Sequence, residues 1–208
     1  YSYVKNTEPQ KGFASNLELN KMDGKLRYGI GGELYSKDYN PNDFGINNEK
    51  NYYSIYSNIS HRILNPTKHY NQIYHGLNVY SQFQRESDKI QSFNIHTNSN
   101  YTTLKNLTYG FGLDINPFIT YNYNDTRVVN RYVQKPATLG GYVFISTNYN
   151  KKFAFDAETF YQITSEKNRT YYNVVVGPRY RFNDHFSMFL NVDFTQEKND
   201  QGYAEIIN

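Results

Sequence analysis

Two carboxylates, Asp156 and Glu158, occupy alternate positions in a segment that interleaves polar and apolar residues. An extended strand would put both on one face roughly 7 Å apart, a spacing that suits the acid and base of an inverting glycosidase. Without a cleft around them, paired acids on a strand more often hydrate a pore. Ser60 stands next to His61, but adjacent strand residues point to opposite faces, which is poor geometry for a nucleophile and its base. The five histidines (His61, His69, His75, His96 and His185) form no compact ligand spacing such as H-E-x-x-H. His96 shares a face with Asn94 and Asn98 and reads as a hydrogen-bonded lumen histidine, since ligands need carboxylate or other supporting partners. Gly29, Gly31, Gly110 and Gly112 lie inside strand-like segments with no helix after them. They therefore mark curvature or close packing rather than a phosphate-binding loop. The absence of Cys removes disulfides, cysteine-ligated metals and thiol chemistry. The expectation is a chain with no catalytic, cofactor-binding or metal residues, and not an enzyme.

The elements that carry these residues are legible from composition. The 208 residues include 23 Tyr and 14 Phe but no Trp and only 2 Met, and aromatic and β-branched residues favour pleated, half-buried surfaces. Net charge is +3, from 22 basic and 19 acidic side chains scattered singly; without a basic block, nucleic acid is not expected as a partner. No stretch approaches the roughly 20 apolar residues of a membrane-spanning helix. The mean hydropathy of −0.81 does not exclude a membrane, because barrel strands alternate lipid-facing with lumen-facing residues.

Period-2 alternation predicts about ten strands, over 12–20, 26–34, 51–63, 73–85, 90–102, 107–115, 139–149, 153–163, 172–182 and 186–195. In the last, Phe186, Met188, Leu190, Val192 and Phe194 form one apolar face. Most segments reach the roughly 9–11 residues of a membrane strand, against about 5–6 in soluble proteins. The connections alternate in kind. Tight links occur at Lys21–Gly24, Leu64–Asn71, Thr103–Asn106, Asn150–Lys152 and Asn183–His185. The other rim carries Asp38–Lys50 and Tyr123–Ala137, with lesser links at Glu86–Lys89 and Thr164–Arg169. Short turns on one rim and longer loops on the other are the layout of outer-membrane barrels. Tyr149, Phe153, Phe182 and Phe186 flank two of the short turns, as an interfacial aromatic girdle would.

The segment Tyr39-Asn40-Pro41-Asn42-Asp43-Phe44-Gly45 resembles a recurrent Y-x-P-N-D-x-G segment in the C-terminal barrels of an uncharacterised outer-membrane family of Bacteroidota. The similarity continues through Thr138-Leu139-Gly140-Gly141-Tyr142-Val143-Phe144-Ile145-Ser146-Thr147-Asn148-Tyr149 and Lys151-Lys152-Phe153-Ala154. It also includes Gly177-Pro178-Arg179-Tyr180-Arg181-Phe182 and Glu197-Lys198-Asn199-Asp200-Gln201-Gly202-Tyr203, so that most of the chain is covered. The resemblance implies an N-terminal domain similar to carbohydrate-binding-module family 9, absent from this chain, ahead of the barrel; it implies no catalytic residues. Residues 38–50 themselves read as a shaped loop, with Pro41 and Gly45 bending it and Asn40 and Asn42 capping turns.

The resulting expectation is an all-β, antiparallel, up-and-down transmembrane β-barrel segment. It is a single domain over residues 1–208, truncated at both ends and part of a larger barrel. Its place would be the bacterial outer membrane, as a pore, membrane anchor or component of an envelope assembly. Expected partners are the lipid bilayer, other outer-membrane or periplasmic proteins, and glycans through the missing N-terminal domain. The alternatives are a soluble, aromatic-rich carbohydrate-binding β-domain and an envelope glycoside hydrolase using Asp156 and Glu158.

Overall fold

Alternating β-branched or aromatic and polar residues produce long strands, and these are joined into one meander. The computed structural model describes residues 11–39, 50–123 and 131–200. Its strands are β1 (Ala14–Lys21), β2 (Leu26–Tyr35), β3 (Tyr52–Ile63), β4 (Tyr70–Gln84), β5 (Ile90–Thr103), β6 (Thr108–Asn116), β7 (Thr120–Asn122), β8 (Val133–Lys135), β9 (Thr138–Ser146), β10 (Phe153–Thr164), β11 (Thr170–Arg181), β12 (Ser187–Phe189) and β13 (Val192–Lys198). The described residues contain no helix. Neighbours in the main sheet follow β1-β2-β3-β4-β5-β6-β9-β10-β11-β12, with β13 also on β11, while β7 and β8 form a separate hairpin. Every pairing is antiparallel. Among the described residues β1 at one edge does not pair with β12 or β13 at the other, so the sheet is not closed on itself.

All ten expected strands are present, with two differences. The segment expected over 186–195 is interrupted, yet β12 and β13 hold one common register against β11. Pro178 lies at the break: its carbonyl accepts from Leu190 N at 3.0 Å, but it has no N–H to return the bond. The second difference falls in the region expected as the loop Tyr123–Ala137, where Val133–Lys135 pairs with Thr120–Asn122. Residues 40–49, which contain most of the Y-x-P-N-D-x-G segment, lie outside the described residues, as do 124–130.

The tight links all fall on one rim, and asparagine shapes turns on both. Asn106 (φ 59°), Asn168 (φ 58°) and Asn51 (φ 61°) adopt the left-handed conformation that Asn tolerates better than most side chains. On the long-loop rim Lys37 Nζ meets Glu86 at 3.0 Å, tying the β2–β3 connection to the β4–β5 turn.

Register divides the side chains into two faces. One carries Leu17, Ile30, Ile59, Leu77, Thr97, Leu113, Gly141, Thr159 and Val174 across consecutive strands. The other carries Asn58, Asn78, His96, Asp114, Gly140 and Gln162. Burial is inverted relative to a water-soluble sheet. The only apolar residues classed as buried among those described are Tyr52 and Ala154, and both lie on the polar face beside buried Ser54, Ser60 and Gln82. Leu17 is 73 % exposed, Ile30 57 % and Val143 55 %.

The glycines explain how the polar face is packed. Tyr56 of β3 crosses over Gly31 of β2, and its hydroxyl accepts a 3.0 Å bond from Asn16 Nδ2 on β1; a Cβ at Gly31 would sit 2.6 Å from the ring. Tyr142 and Phe144 of β9 cover Gly112 and Gly110 of β6, and Phe160 of β10 covers Gly140 of β9. Each ring comes from the following strand and lies over a glycine of the preceding one.

Two outcomes follow. Gly31→Ala needs only the Tyr56 ring to move, whereas a Cβ at Gly112 also collides with the Thr97 carbonyl oxygen. Gly112→Ala is expected to cost about 1–3 kcal/mol in urea unfolding and to resist rescue by Tyr142→Ala, while Tyr56→Ala relieves Gly31→Ala. The second concerns pH: the Lys37 hydrogen bond, then its charge, holds the Glu86 carboxyl below its ordinary 4.5. The contribution of that pair is present above pH 4.5 and is lost as pH falls through the lower folded value. The Glu86 side-chain carboxyl 13C shift should titrate with its midpoint below 4.5 in the native chain, and Lys37→Met should move that midpoint up.

Candidate functional site

The polar face is concave. Gln82 of β4, Asn116 of β6, Gln162 of β10 and Glu197 of β13 all line one cavity of about 480 Å³. In a flat sheet β4 and β13 would lie about 29 Å apart at the usual ~4.8 Å per strand, so a shared cavity requires the sheet to curl around its polar side. The cavity opens toward the long-loop rim, and Thr120, Asn122, Lys135 and Pro136 of the β7–β8 hairpin contribute to its wall. Lys89 anchors this hairpin, its ammonium 4.2 Å from the Tyr132 ring centre and 4.9 Å from that of Tyr121. A hydrogen bond with Tyr132 raises the Lys89 pKa above its ordinary 10.5.

The sequence-predicted groups are distributed over this frame without converging. Ser60 is buried on the polar face and accepts from Arg62 Nε at 3.2 Å. His61 points the other way and stacks on His75 at 6.0 Å, so the two lie on opposite faces. Asp156 and Glu158 share the polar face through their pairing with Gly177 and Val175. The Tyr149 hydroxyl bonds to Asp156, and neither acid lines the cavity. His96 Nδ1 is 2.8 Å from Asp114, and Tyr142 stacks on its ring at 6.1 Å. Among the described residues no group of three or more His, Asp or Glu is placed to hold a metal ion.

The outer face is organised as a band. Near the long-loop rim Tyr53 stacks on Phe83 at 5.0 Å, Phe93 meets Phe118 at 4.8 Å and Tyr161 meets Tyr172 at 6.4 Å. Near the short-turn rim Tyr101 packs against Tyr70 and Tyr109, and Phe182 against Tyr180 and Phe186. Tyr53 to His61, Phe83 to His75, Phe93 to Tyr101, Phe153 to Tyr161 and Tyr172 to Tyr180 have the same separation along five strands. That separation is about 27 Å along the strand at ~3.4 Å per residue. Between these rings the face is mainly aliphatic, and its hydroxyls are turned back on the protein. Ser81 Oγ donates to Ile55 O at 3.0 Å, Thr159 Oγ1 to Asn173 O at 3.1 Å, and Thr97 Oγ1 accepts from Leu113 N at 3.2 Å.

One expected girdle member departs from this pattern. Tyr149 turns to the polar side, where its hydroxyl meets Asp156 and the Arg179 guanidinium lies 5.3 Å over its ring. The long-loop aromatic ring and the cavity-lining amides were not anticipated from sequence. The constant aromatic spacing within strands was the available signal for the first. The second required knowledge of which strand ends the curvature brings together.

Comparison with curated proteins gives no match, and comparison with solved structures gives none. The family described as domain of unknown function DUF5916 matches residues 1–208, and the chain therefore belongs to that family.

Proposed function

We propose that this chain forms wall of a transmembrane β-barrel in a bacterial outer membrane, serving as a pore, a membrane anchor or a component of an envelope assembly. The observation that carries the reading is the exposed aliphatic band bordered by aromatic residues toward both rims. A contiguous apolar surface of this extent is unfavourable in water. At the ~40° strand tilt of such barrels its height would be about 21 Å, close to the apolar belt of about 25 Å on outer-membrane barrels, where aromatic girdles sit at the two interfaces. Strand length supports the same reading: β2, β6 and β9 have 10, 9 and 9 residues, and β3, β4 and β5 have 12, 15 and 14. The inward-turned hydroxyls of Ser81, Thr97 and Thr159 also fit a medium that offers no hydrogen bonds.

In this reading the bilayer is the principal partner, and the concave face of Asn, Gln, Ser, Thr and charged residues borders water or a plug. Unpaired backbone costs several kcal/mol per group in lipid, so β1 and the β12–β13 edge would each pair with further strand. The resemblance to the Bacteroidota outer-membrane family supports the location. Other envelope proteins, and glycans through an N-terminal domain, are the partners that resemblance adds.

Substitution on the two faces separates this reading from that of a water-soluble sheet. In liposomes Val143→Arg, in the middle of the band, is expected to lower unfolding free energy by about 2–4 kcal/mol. Asn78→Arg on the concave face should change it by no more than about 0.5 kcal/mol. Heat-modifiable gel migration of the membrane-extracted protein is the accompanying expectation. A stable monomer that remains soluble without detergent and tolerates Val143→Arg would overturn the proposal.

A further inference from the structure

The cavity at the long-loop rim has a wall chemistry that selects among ligand classes. Most of its lining side chains are neutral amides and hydroxyls. Besides threonine methyls and aliphatic stems, the apolar groups of the wall are Pro136 and the ring of Tyr171, with no Leu, Ile, Val, Met or Phe to hold a hydrophobic ligand or apolar peptide side chains. Formal charges in the wall nearly cancel, with Lys135, Arg169 and Lys198 set against Glu197 and Asp200. Arg169 is engaged by Glu166 at 2.8 Å and by Asp200, so it is not presented as an open anion site.

Several of the neutral groups are held in place before any ligand arrives. Tyr80 donates to Gln82 Oε1 at 2.8 Å, and Gln82 Nε2 donates to Gln91 Oε1 at 2.8 Å. Gln91 Nε2 in turn donates to Gln84. This chain fixes each amide's orientation while using one of the two hydrogens on each of these amide nitrogens. Asn116 Nδ2 donates to Thr138 Oγ1 at 2.6 Å, which leaves the threonine its own O–H to give. Gln162 and Tyr171 face each other across β10 and β11, and their side chains have no hydrogen-bond partner among the described residues. The wall thus presents donors and acceptors held by their neighbours and one flat aromatic ring, with three cationic and two anionic side chains leaving a formal charge of only +1.

We propose that this cavity binds an uncharged sugar of about one or two rings. Its volume falls within the roughly 300–1,000 Å³ of small-molecule sites. Sugar hydroxyls both donate and accept, as the amide and hydroxyl wall does, and a ring face suits Tyr171. The inference goes beyond the membrane-wall reading and does not depend on it, because the cavity belongs to the concave face in any surrounding.

Saturation-transfer NMR on the protein in lipid nanodiscs tests this with glucose, maltose, sucrose and lactose, and with glucuronate and diglycine as comparisons. Heat-modifiable migration of the same sample reports membrane insertion separately. At least one neutral sugar should receive saturation above both comparisons. Gln162→Leu and, independently, Thr138→Val should weaken it about three- to ten-fold, as expected for loss of one hydrogen bond. Glu158→Gln, on the same strand face outside the cavity, should leave binding unchanged. The proposal is overturned if no neutral sugar exceeds glucuronate and diglycine, or if binding is indifferent to both Gln162→Leu and Thr138→Val in folded protein. If the protein fails to insert yet still binds sugar, the membrane reading fails and the cavity proposal stands.

Discussion

Each strand from β2 to β6, and then β9 to β11, has backbone partners on both sides, and this continuous ladder decides where every side chain can point. Because pleating alternates side chains between faces, a meander held in one register converts a modest alternation in each strand into two extended surfaces. Bulges at Tyr70/Gln72 and Gln82/Phe83 are the register shifts between β4 and β5; elsewhere in the sheet the two faces run through unbroken. Backbone pairing is therefore the interaction that organises both faces. It satisfies the peptide groups and leaves the outer apolar side chains unpartnered.

The concave side meets a different demand. Large side chains on the inside of a curled sheet crowd one another, and the glycines remove Cβ atoms where neighbouring rings must pass. Tyr56 reaches Asn16 across Gly31, and Tyr142 reaches His96 across Gly112. Each ring thus links strands that are not hydrogen-bonded to each other. His96 is part of that packing, fixed by Asp114 below the stacked ring, and Asp156 is similarly engaged by Tyr149. The residues with the most familiar chemical repertoire are held within the wall, whereas the cavity is built from amides and hydroxyls at strand ends.

Much of the fold was legible residue by residue. Alternation located the ten strands, their faces and the turns between them, because side-chain direction in a strand depends only on parity. The opposite orientation of Ser60 and His61 followed from the same rule. The split of the last strand at Leu190–Asn191 was less visible, since the cause, Pro178, lies on the neighbouring strand and acts through a bond it cannot donate. The inward turn of Tyr149 depends on Asp156 and Arg179, which turn and register bring to it.

What the sequence by itself determined is the all-β class, the strand number within the meander and the apolar-against-polar division of each strand, all of which are local consequences of side-chain type and period. Curvature, the cavity that joins β4 to β13, and the docking of the β7–β8 hairpin were decided only in the tertiary structure. Those features depend on distances between strands far apart in the chain, set by register and by how rings and glycines pack on the inner face, and no local pattern encodes them.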